Sequence, residues 1–380
     1  MENKIVIFDL DGVLIKPAGY RKATRDTVVH FLEVYQINAN PPCESELSLF
    51  ESVGITCEWD MIPLSLLAAM NESARQNGGQ NSTAPHEISP NQMIQVDYQA
   101  YIRAYGSLMQ PGVPPSEAVS RHCIAADGQN LFPYLQNDRI EKLLDNTRDF
   151  ITCPTTQYLE NFVLGSQIFE QIFGRPAMVA CPSYLETEDT VQLTQEVSHA
   201  LMSARRSQDL SIAMMTARYS AGPTDLADRT GLRIPEAEIA ARMLGWEDVP
   251  LIGFGHLLAL GERSGRSAED LLKPQPVHAL AAILAASGLP EWIALQEALR
   301  IYEGGDWQGF SEPVCVHVVE DSPVGILAVR QAVAILAKNN PITMQAWGVT
   351  HDANKKASLL DRGALVYDTV DQAVLNILAS

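Results

Sequence analysis

The sequence lacks the signals of a membrane-spanning or exported protein. No apolar run in its 380 residues approaches the roughly 18 uncharged residues that a transmembrane helix needs. Its start leads directly into an apolar run, without the basic segment and apolar core of a signal peptide. None of the six cysteines forms a C-x-x-C pair, so neither a zinc site nor a disulfide framework is indicated. We therefore expect a cytoplasmic protein with reduced thiols.

Positive charge is scarce as well. The chain has 27 Lys and Arg residues against 46 Asp and Glu residues, for a net charge of −19, and no basic run offsets this. Such a chain repels nucleic-acid phosphates and anionic lipid, so we expect neither as a partner. A small anionic substrate would require a local cationic pocket and a metal ion. The apolar content of 46% is that of a globular protein, and the length suits about two domains.

The most informative segment lies at the start, where the run 4–8, mostly β-branched or aromatic, is followed by Asp9, Asp11 and Gly12. The run is typical of a strand buried on both faces, as in a parallel sheet. The two acids then lie at the carboxyl end of this strand, where open α/β sheets bind ligands. Two close carboxylates bind a hard cation or share a proton, although an Asp pair after a strand also serves as a helix cap or turn.

The hydrophobic pattern predicts a doubly wound parallel α/β sheet with an inserted, mainly helical domain. Helical spacing marks 22–36, 60–74, 136–148 and 156–173, with a polar loop over 76–97. Strand and helix then alternate: a helix over 189–206, strands 210–215, 249–254, 314–319, 344–349 and 364–367, and a helix over 276–287. We expect a sheet-forming domain composed of 1–16 and 186–380, with an inserted helical domain over 17–185.

Functional-looking side chains follow several of these elements. Thr216 ends the strand 210–215, Lys273 precedes a helix in Lys-Pro-Gln-Pro, and Glu320-Asp321 end the strand 314–319. In a parallel sheet all these strand ends lie at one edge. Each residue also has a structural explanation: Thr216 as a helix cap, Lys273 as a solvated lysine, and the acids as a first helical turn favoured by the dipole.

In this order the motifs resemble those of the haloacid dehalogenase-like hydrolase superfamily, over roughly residues 1–16 and 190–380. Lys273-Pro-x-Pro and Glu320-Asp-Ser-Pro-x-Gly-Ile are similar to the branch that contains phosphoglycolate phosphatases and β-phosphoglucomutases. The resemblance implies a Rossmann-like core, with the inserted module as an enlarged cap. The superfamily often has Gly after the motif's Thr or Ser, whereas this chain has Ala217 and then Arg218.

The resemblance also implies roles for the site residues. Asp9 would be the nucleophile that forms an aspartyl-phosphate, and Asp11 the general acid and base. The implied catalytic residues are Asp9, Asp11, Thr216 and Lys273. The implied phosphate contacts are the Thr216 and Lys273 side chains and the N–H groups of Ala217 and Arg218. The implied ligands of Mg²⁺ are Asp9, Asp321, the backbone carbonyl of Asp11, and Glu320 in the first or second shell.

The expected activity is a magnesium-dependent phosphohydrolase that acts on a small phosphorylated metabolite. A phosphomutase would use the same Asp9 and Asp11 but retain the phosphate. Dehalogenation fits less well, because Asp11 suits phosphate chemistry. A non-catalytic binding protein on this fold is the alternative from another class, and the intact acids and Lys273 argue against it. The sequence leaves open whether the Arg218 side chain reaches a second anionic group or faces solvent, and whether 288–312 packs on the cap or forms an oligomer contact.

Overall fold

The computed structural model describes residues 3–76, 93–110, 112–125, 131–226 and 231–380. The chain forms two compact units, one comprising Met1–Pro17 with Asp189–Ser380 and the other Ala18–Glu188. We call them the sheet unit and the helical unit. Most of the predicted polar loop over 76–97 lies outside the described residues, which resume at 93.

The sheet unit contains a parallel sheet of six strands and a separate two-stranded sheet. The strands are β1 (Asn3–Phe8), β2 (Ile15–Lys16), β3 (Thr190–Val191), β4 (Leu210–Met215), β5 (Leu251–Ile252), β6 (Val314–Glu320), β7 (Ile342–Val349) and β8 (Leu365–Tyr367). The large sheet has the order β5-β4-β1-β6-β7-β8, and all its described pairings are parallel. The predicted doubly wound α/β core is therefore confirmed, with β1 between β4 and β6.

The helical unit is built around a long first helix that packs on two others. Its described helices are α1 (Gly19–Val34), α2 (Glu44–Ser52), α3 (Glu58–Gln76), α4 (Tyr98–Gly106), α5 (Pro115–Ile124), α6 (Asn137–Leu144), α7 (Pro154–Phe173) and α8 (Tyr184–Thr187). Helix α1 packs on α3 and α7. The buried Asp60 of α3 accepts a hydrogen bond from the Ser116 hydroxyl and pairs with Arg148 at 2.8 Å, which satisfies its charge. No helix in the described part of the chain is both long and apolar enough to cross a membrane.

Helices cover both faces of the large sheet. They are α9 (Gln195–Arg206), α10 (Glu236–Leu244), α11 (Phe254–Ser264), α12 (Pro276–Ala286), α13 (Glu291–Tyr302), α14 (Pro323–Leu336), α15 (Ala353–Asp361) and α16 (Val370–Ala379). Alternate residues of β1 enter two different cores: Ile5 and Ile7 pack with α12 and α14, and Val6 and Phe8 with α9, α10 and α16. This explains why β1 is apolar from Ile5 to Phe8, because side chains alternate between two covered faces.

One sequence-based expectation needs correction. The helix predicted over 189–206 begins only at Gln195, because Thr190 and Val191 pair antiparallel with Lys16 and Ile15. Strands of two residues are too short to show an alternating apolar–polar pattern in the sequence. The segment 288–312, whose role the sequence left open, contains α13, whose buried Trp292 joins the core of the sheet unit.

Candidate active site

Three neighbouring strands bring their polar ends to one edge of the sheet. Asp9 follows β1, Thr216 follows β4, and Glu320 ends β6. The register places Phe8 opposite both Met214 and Val319, so the three strands end at about the same level. This is the carboxyl edge of the sheet, beside the central strand at which the strand order reverses. Ligands of open α/β sheets bind at this position.

The carboxylates at this edge form a compact acidic cluster. One oxygen from each of Asp9, Glu320 and Asp321 lies within 4.8 Å of the other two. Asp9 is 7% exposed and Glu320 is fully buried. Burial raises the pKa of Asp9, with a further increase from Asp321 and Asp11. Burial also raises the pKa of Glu320 well above its ordinary value, with a further increase from Asp9 and Asp321. The cluster therefore needs cationic partners to remain ionised.

Lys273 supplies one of these partners. Its Nζ lies 2.9 Å from Asp9 Oδ2 and 3.0 Å from Glu320 Oε1, and its side chain is 9% exposed. Burial disfavours the ammonium, but Asp9 and Glu320 outweigh this and raise the pKa of Lys273. The structure therefore brings together Asp9, Lys273 and Glu320, three of the candidate site residues from the sequence. A solvated role for Lys273 is excluded.

A neutral histidine fixes the backbone of Lys273. His278 Nε2 donates to the Ile252 carbonyl at 2.9 Å, and His278 Nδ1 accepts the Lys273 N–H at 3.3 Å. Because one ring nitrogen donates and the other accepts, both bonds require the neutral imidazole. Burial lowers the pKa of His278 to about 3, which preserves this form. His278 thus links β5 to the lysine of the site.

Two glycines make room for the acidic side chains. A Cβ on Gly325, in the first turn of α14, would lie 1.5 Å from Glu320 Oε1. A Cβ on Gly12 would lie 2.4 Å from Asp321 Oδ2. Gly12 also has a φ of +77°, which is unfavourable for residues other than glycine. The positions of Glu320 and Asp321 therefore depend on the absence of side chains at these two residues.

The loop after β4 differs at Arg218 from the expected phosphate-binding loop. Thr216 is fully buried, and its Oγ1 accepts the N–H of Arg218 at 3.1 Å. The Arg218 N–H is thus directed to Thr216. The Arg218 side chain does not face solvent, since it is 2% exposed and pairs with Asp11 Oδ1 at 2.5 Å and Asp189 Oδ2 at 2.9 Å.

The acidic cluster can hold a metal ion. Its ligand atoms are all carboxylate oxygens, the donors that hard cations such as Mg²⁺ and Ca²⁺ prefer. Asp9 and Glu320 are buried with raised pKa values, so a nearby divalent charge would favour their ionised forms. The side chain of Asp11 is occupied by Arg218, which leaves its backbone carbonyl as the expected ligand from that residue.

Sequence reasoning missed three residues that contact the site. Lys355 of α15 lies 2.5 Å from Asp321 Oδ2, Asp189 pairs with Arg218, and His278 holds Lys273. Lys355 had a detectable signal, since it lies in the first turn of a helix that follows a predicted strand. Asp189 carried no local signal, because its partner is 29 positions away in the sequence.

Comparison with known proteins supports the fold. No family model matches the chain, and no curated protein matches it significantly. An X-ray structure from the Northeast Structural Genomics Consortium matches 100% of this chain and 99% of its own, with a TM-score of 0.63 and 13% identity. The structure of phosphatase Tt82 from Thermococcus thioreducens matches 94% of this chain and 98% of its own, with a TM-score of 0.44 and 13% identity. The first likeness concerns the fold alone, and the second is too distant to inform the chemistry. Fold and site together define a doubly wound α/β protein with a buried carboxylate–lysine cluster at its carboxyl edge.

Proposed function

We propose that this protein is a magnesium-dependent phosphohydrolase that releases phosphate from a small phosphorylated metabolite. The observation that carries the proposal is the placement of Lys273 between the buried carboxylates of Asp9 and Glu320, with Asp321 beside them at the carboxyl edge of the sheet. Phosphoryl transfer requires a positioned nucleophile and neutralisation of negative charge, and this cluster offers both. The ordered match to haloacid dehalogenase-like motifs supports the same chemistry.

Asp9 is the proposed nucleophile. Its Oδ1 accepts the N–H of Leu10 at 2.8 Å and its Oδ2 contacts Lys273, so the carboxylate is fixed in orientation. Attack of a carboxylate oxygen on phosphorus forms the aspartyl-phosphate bond and breaks the bond to the leaving oxygen. Attack of water on the same phosphorus then frees inorganic phosphate and returns the Asp9 carboxylate, whose charge Lys273 stabilises.

Asp11 is the proposed proton carrier. As an acid it gives its proton to the leaving oxygen, and as a carboxylate it takes a proton from the attacking water, so that it returns to its starting form after one turnover. The Thr216 hydroxyl, the Ala217 N–H and Lys273 are the proposed donors to the phosphoryl oxygens. Asp9, Asp321, Glu320 and the carbonyl of Asp11 would hold Mg²⁺, which neutralises charge on phosphate and nucleophile when bound.

The proposal is tested by phosphate release from p-nitrophenyl phosphate and from a panel of phosphorylated metabolites, with and without Mg²⁺. We expect activity that chelation removes and Mg²⁺ restores. Full activity after exhaustive chelation would contradict the metal role, and absence of turnover on every substrate would favour the non-catalytic alternative. Isomerisation of a sugar phosphate without phosphate release would instead indicate a mutase.

Asp9→Asn is expected to lower turnover by about 10³-fold or more, because an amide cannot form the aspartyl-phosphate. The matched control is Asp248→Asn, which removes a surface carboxylate of the same unit whose side chain is 72% exposed. Circular dichroism checks that both variants fold. Borohydride reduction of quenched enzyme should convert Asp9 to homoserine, detected by mass spectrometry. Turnover of Asp9→Asn within a few-fold of the parent would exclude this nucleophile.

A further inference from the structure

The side chain of Arg218 is buried between two carboxylates of the sheet unit. Its side chain is 2% exposed, and that of Asp189 is fully buried. A guanidinium remains charged at any physiological pH, so burying it is costly unless anionic groups surround it. Asp11 and Asp189 provide this compensation. These ion pairs therefore hold the Arg218 side chain, and the Asp11 carboxylate that it contacts, in a fixed position.

Arg218 contacts Asp11 through two nitrogens. Nε lies 3.0 Å from both Asp11 Oδ1 and Asp11 Oδ2, and Nη2 lies 2.5 Å from Oδ1. Oδ1 thus receives two of these three contacts, and Oδ2 receives one. The Asp11 carboxylate cannot rotate without breaking them, yet its side chain is 35% exposed. Arg218 thus holds the Asp11 carboxylate in one orientation, while part of the Asp11 side chain remains accessible to solvent.

The backbone of Arg218 is held as firmly as its side chain. Its N–H donates to Thr216 Oγ1 at 3.1 Å, and its carbonyl accepts the N–H of Phe254 at 2.9 Å. Asp189, on its other side, directly precedes β3, which pairs with β2. Arg218 therefore joins four segments of the sheet unit: the turn after β1, the loop after β4, the residue before β3, and the start of α11.

We propose that Arg218 is a positioning residue for Asp11, and that Asp189 holds Arg218 in place for this task. The inference rests on the proposed function, in which Asp11 transfers the proton to and from the reacting oxygens. Arg218 itself touches neither phosphate nor water in this role. It sets the direction of the Asp11 carboxylate, so that a proton on Asp11 lies where the leaving oxygen departs.

Misdirection of Asp11 has a specific kinetic consequence. A good leaving group departs without full protonation, whereas a poor one needs the acid in place, and a positioned acid typically contributes about 10²- to 10⁴-fold. Loss of Arg218 should therefore slow poor leaving groups more than good ones. A residue needed only for folding, or only for substrate affinity, would affect all leaving groups alike.

The experiment uses a series of substituted phenyl phosphates, from nitrophenyl to unsubstituted phenyl, assayed on the full chain with Mg²⁺. Arg218→Gln alone leaves Asp189 buried without its cation, so the informative variant is Arg218→Gln with Asp189→Asn, which removes both charges together. The matched control is Arg205→Gln with Asp248→Asn, another Arg–Asp pair of the same unit, 2.6 Å apart at the surface. Thermal melts verify that both double variants fold.

We expect the Arg218→Gln, Asp189→Asn variant to lose about 10- to 100-fold in kcat/KM on phenyl phosphate but only a few-fold on nitrophenyl phosphate, because kcat/KM reports the steps up to departure of the leaving group and not the later hydrolysis of the aspartyl-phosphate. In an Asp11→Asn background the same two substitutions should cause no further loss on phenyl phosphate, since the acid is already absent. The control pair should leave the dependence on leaving group unchanged.

If the parent enzyme is active, either of two results would overturn the inference. One is a loss of kcat/KM in the double variant that is equal for all leaving groups. The other is a loss of kcat/KM that adds to the loss caused by Asp11→Asn. A parent protein with no turnover on any phenyl phosphate would overturn the proposed function, and this inference with it.

Discussion

Lys355 and a bound cation would compete for the same carboxylate, that of Asp321. Lys355 Nζ lies 2.5 Å from Asp321 Oδ2, and Asp321 belongs to the acidic cluster that can hold a metal. The lysine side chain is 53% exposed, so its ion pair is screened by solvent and weak. Lys355 can therefore serve as a counter-ion of Asp321 that gives way when a divalent cation binds.

Lys355→Met is expected to lower the Mg²⁺ concentration for half-maximal activity by about two- to five-fold, the equivalent of an exposed ion pair. Lys356→Met is the matched control, since it removes the same charge from an exposed neighbour on α15. A Mg²⁺ titration of phosphate release measures both. An unchanged or increased Mg²⁺ requirement in Lys355→Met, or the same decrease in the control, would rule out direct competition.

At the scale of elements, the turn after β1 is the part of the fold that the acidic cluster depends on most directly. Gly12 has a left-handed φ of +77°, and any Cβ there would meet the carboxylate of Asp321. Gly265, which ends α11, has a similar φ of +70°, but a Cβ there would meet nothing within 4 Å. A comparison of substitutions at Gly12 and Gly265 therefore separates the effect of backbone strain from the effect of displacing Asp321.

Gly12→Ala and Gly265→Ala should each lower the free energy of unfolding by roughly 1–2 kcal/mol through backbone strain. Only Gly12→Ala should also raise the Mg²⁺ requirement and lower kcat, because it moves Asp321. Urea unfolding and Mg²⁺ titrations of phosphate release provide the two measurements. Equal effects of both variants on the Mg²⁺ requirement would mean that Gly12 serves the turn alone.

The elements that the sequence predicted are those with a strong local pattern. The strand before Asp9 and the helix from Pro276 were visible because their apolar spacing is regular and their ends carry acids or prolines. The pairing of Ile15 with Val191 was not visible, because each strand has two residues and the pair spans the whole helical unit. The contacts of Arg218 and Lys355 likewise depend on how distant segments meet. Residue types at strand ends were thus predictable, whereas the ion pairs made by Arg218 and Lys355 were not.

At the scale of the whole sheet unit, two buried histidines make folding sensitive to acid. Burial lowers the pKa of His278 to about 3, and burial together with Lys4 lowers that of His317 to about 4. His278 holds Lys273, and His317 Nδ1 accepts the indole N–H of Trp347 at 3.0 Å. Both rings are thus needed in the neutral form, whereas an unfolded chain protonates histidine near pH 6.5.

The free energy of unfolding of the sheet unit should therefore fall as the pH drops below about 6.5. The unfolded state then binds protons that the folded state excludes, so each histidine contributes a slope of up to about 1.4 kcal/mol per pH unit, which for His278 continues toward pH 3. Urea unfolding from pH 7 to pH 4, followed by tryptophan fluorescence, measures it. His278→Gln can retain both hydrogen bonds without titrating and should flatten the profile, while His199→Gln, on the exposed surface, should not. The parent, His278→Gln and His199→Gln all have the same carboxylates, so the carboxylates contribute equally to the three pH profiles. If the free energy of unfolding of His278→Gln falls with pH in parallel with that of the parent, the buried imidazole of His278 is not the source of the acid sensitivity.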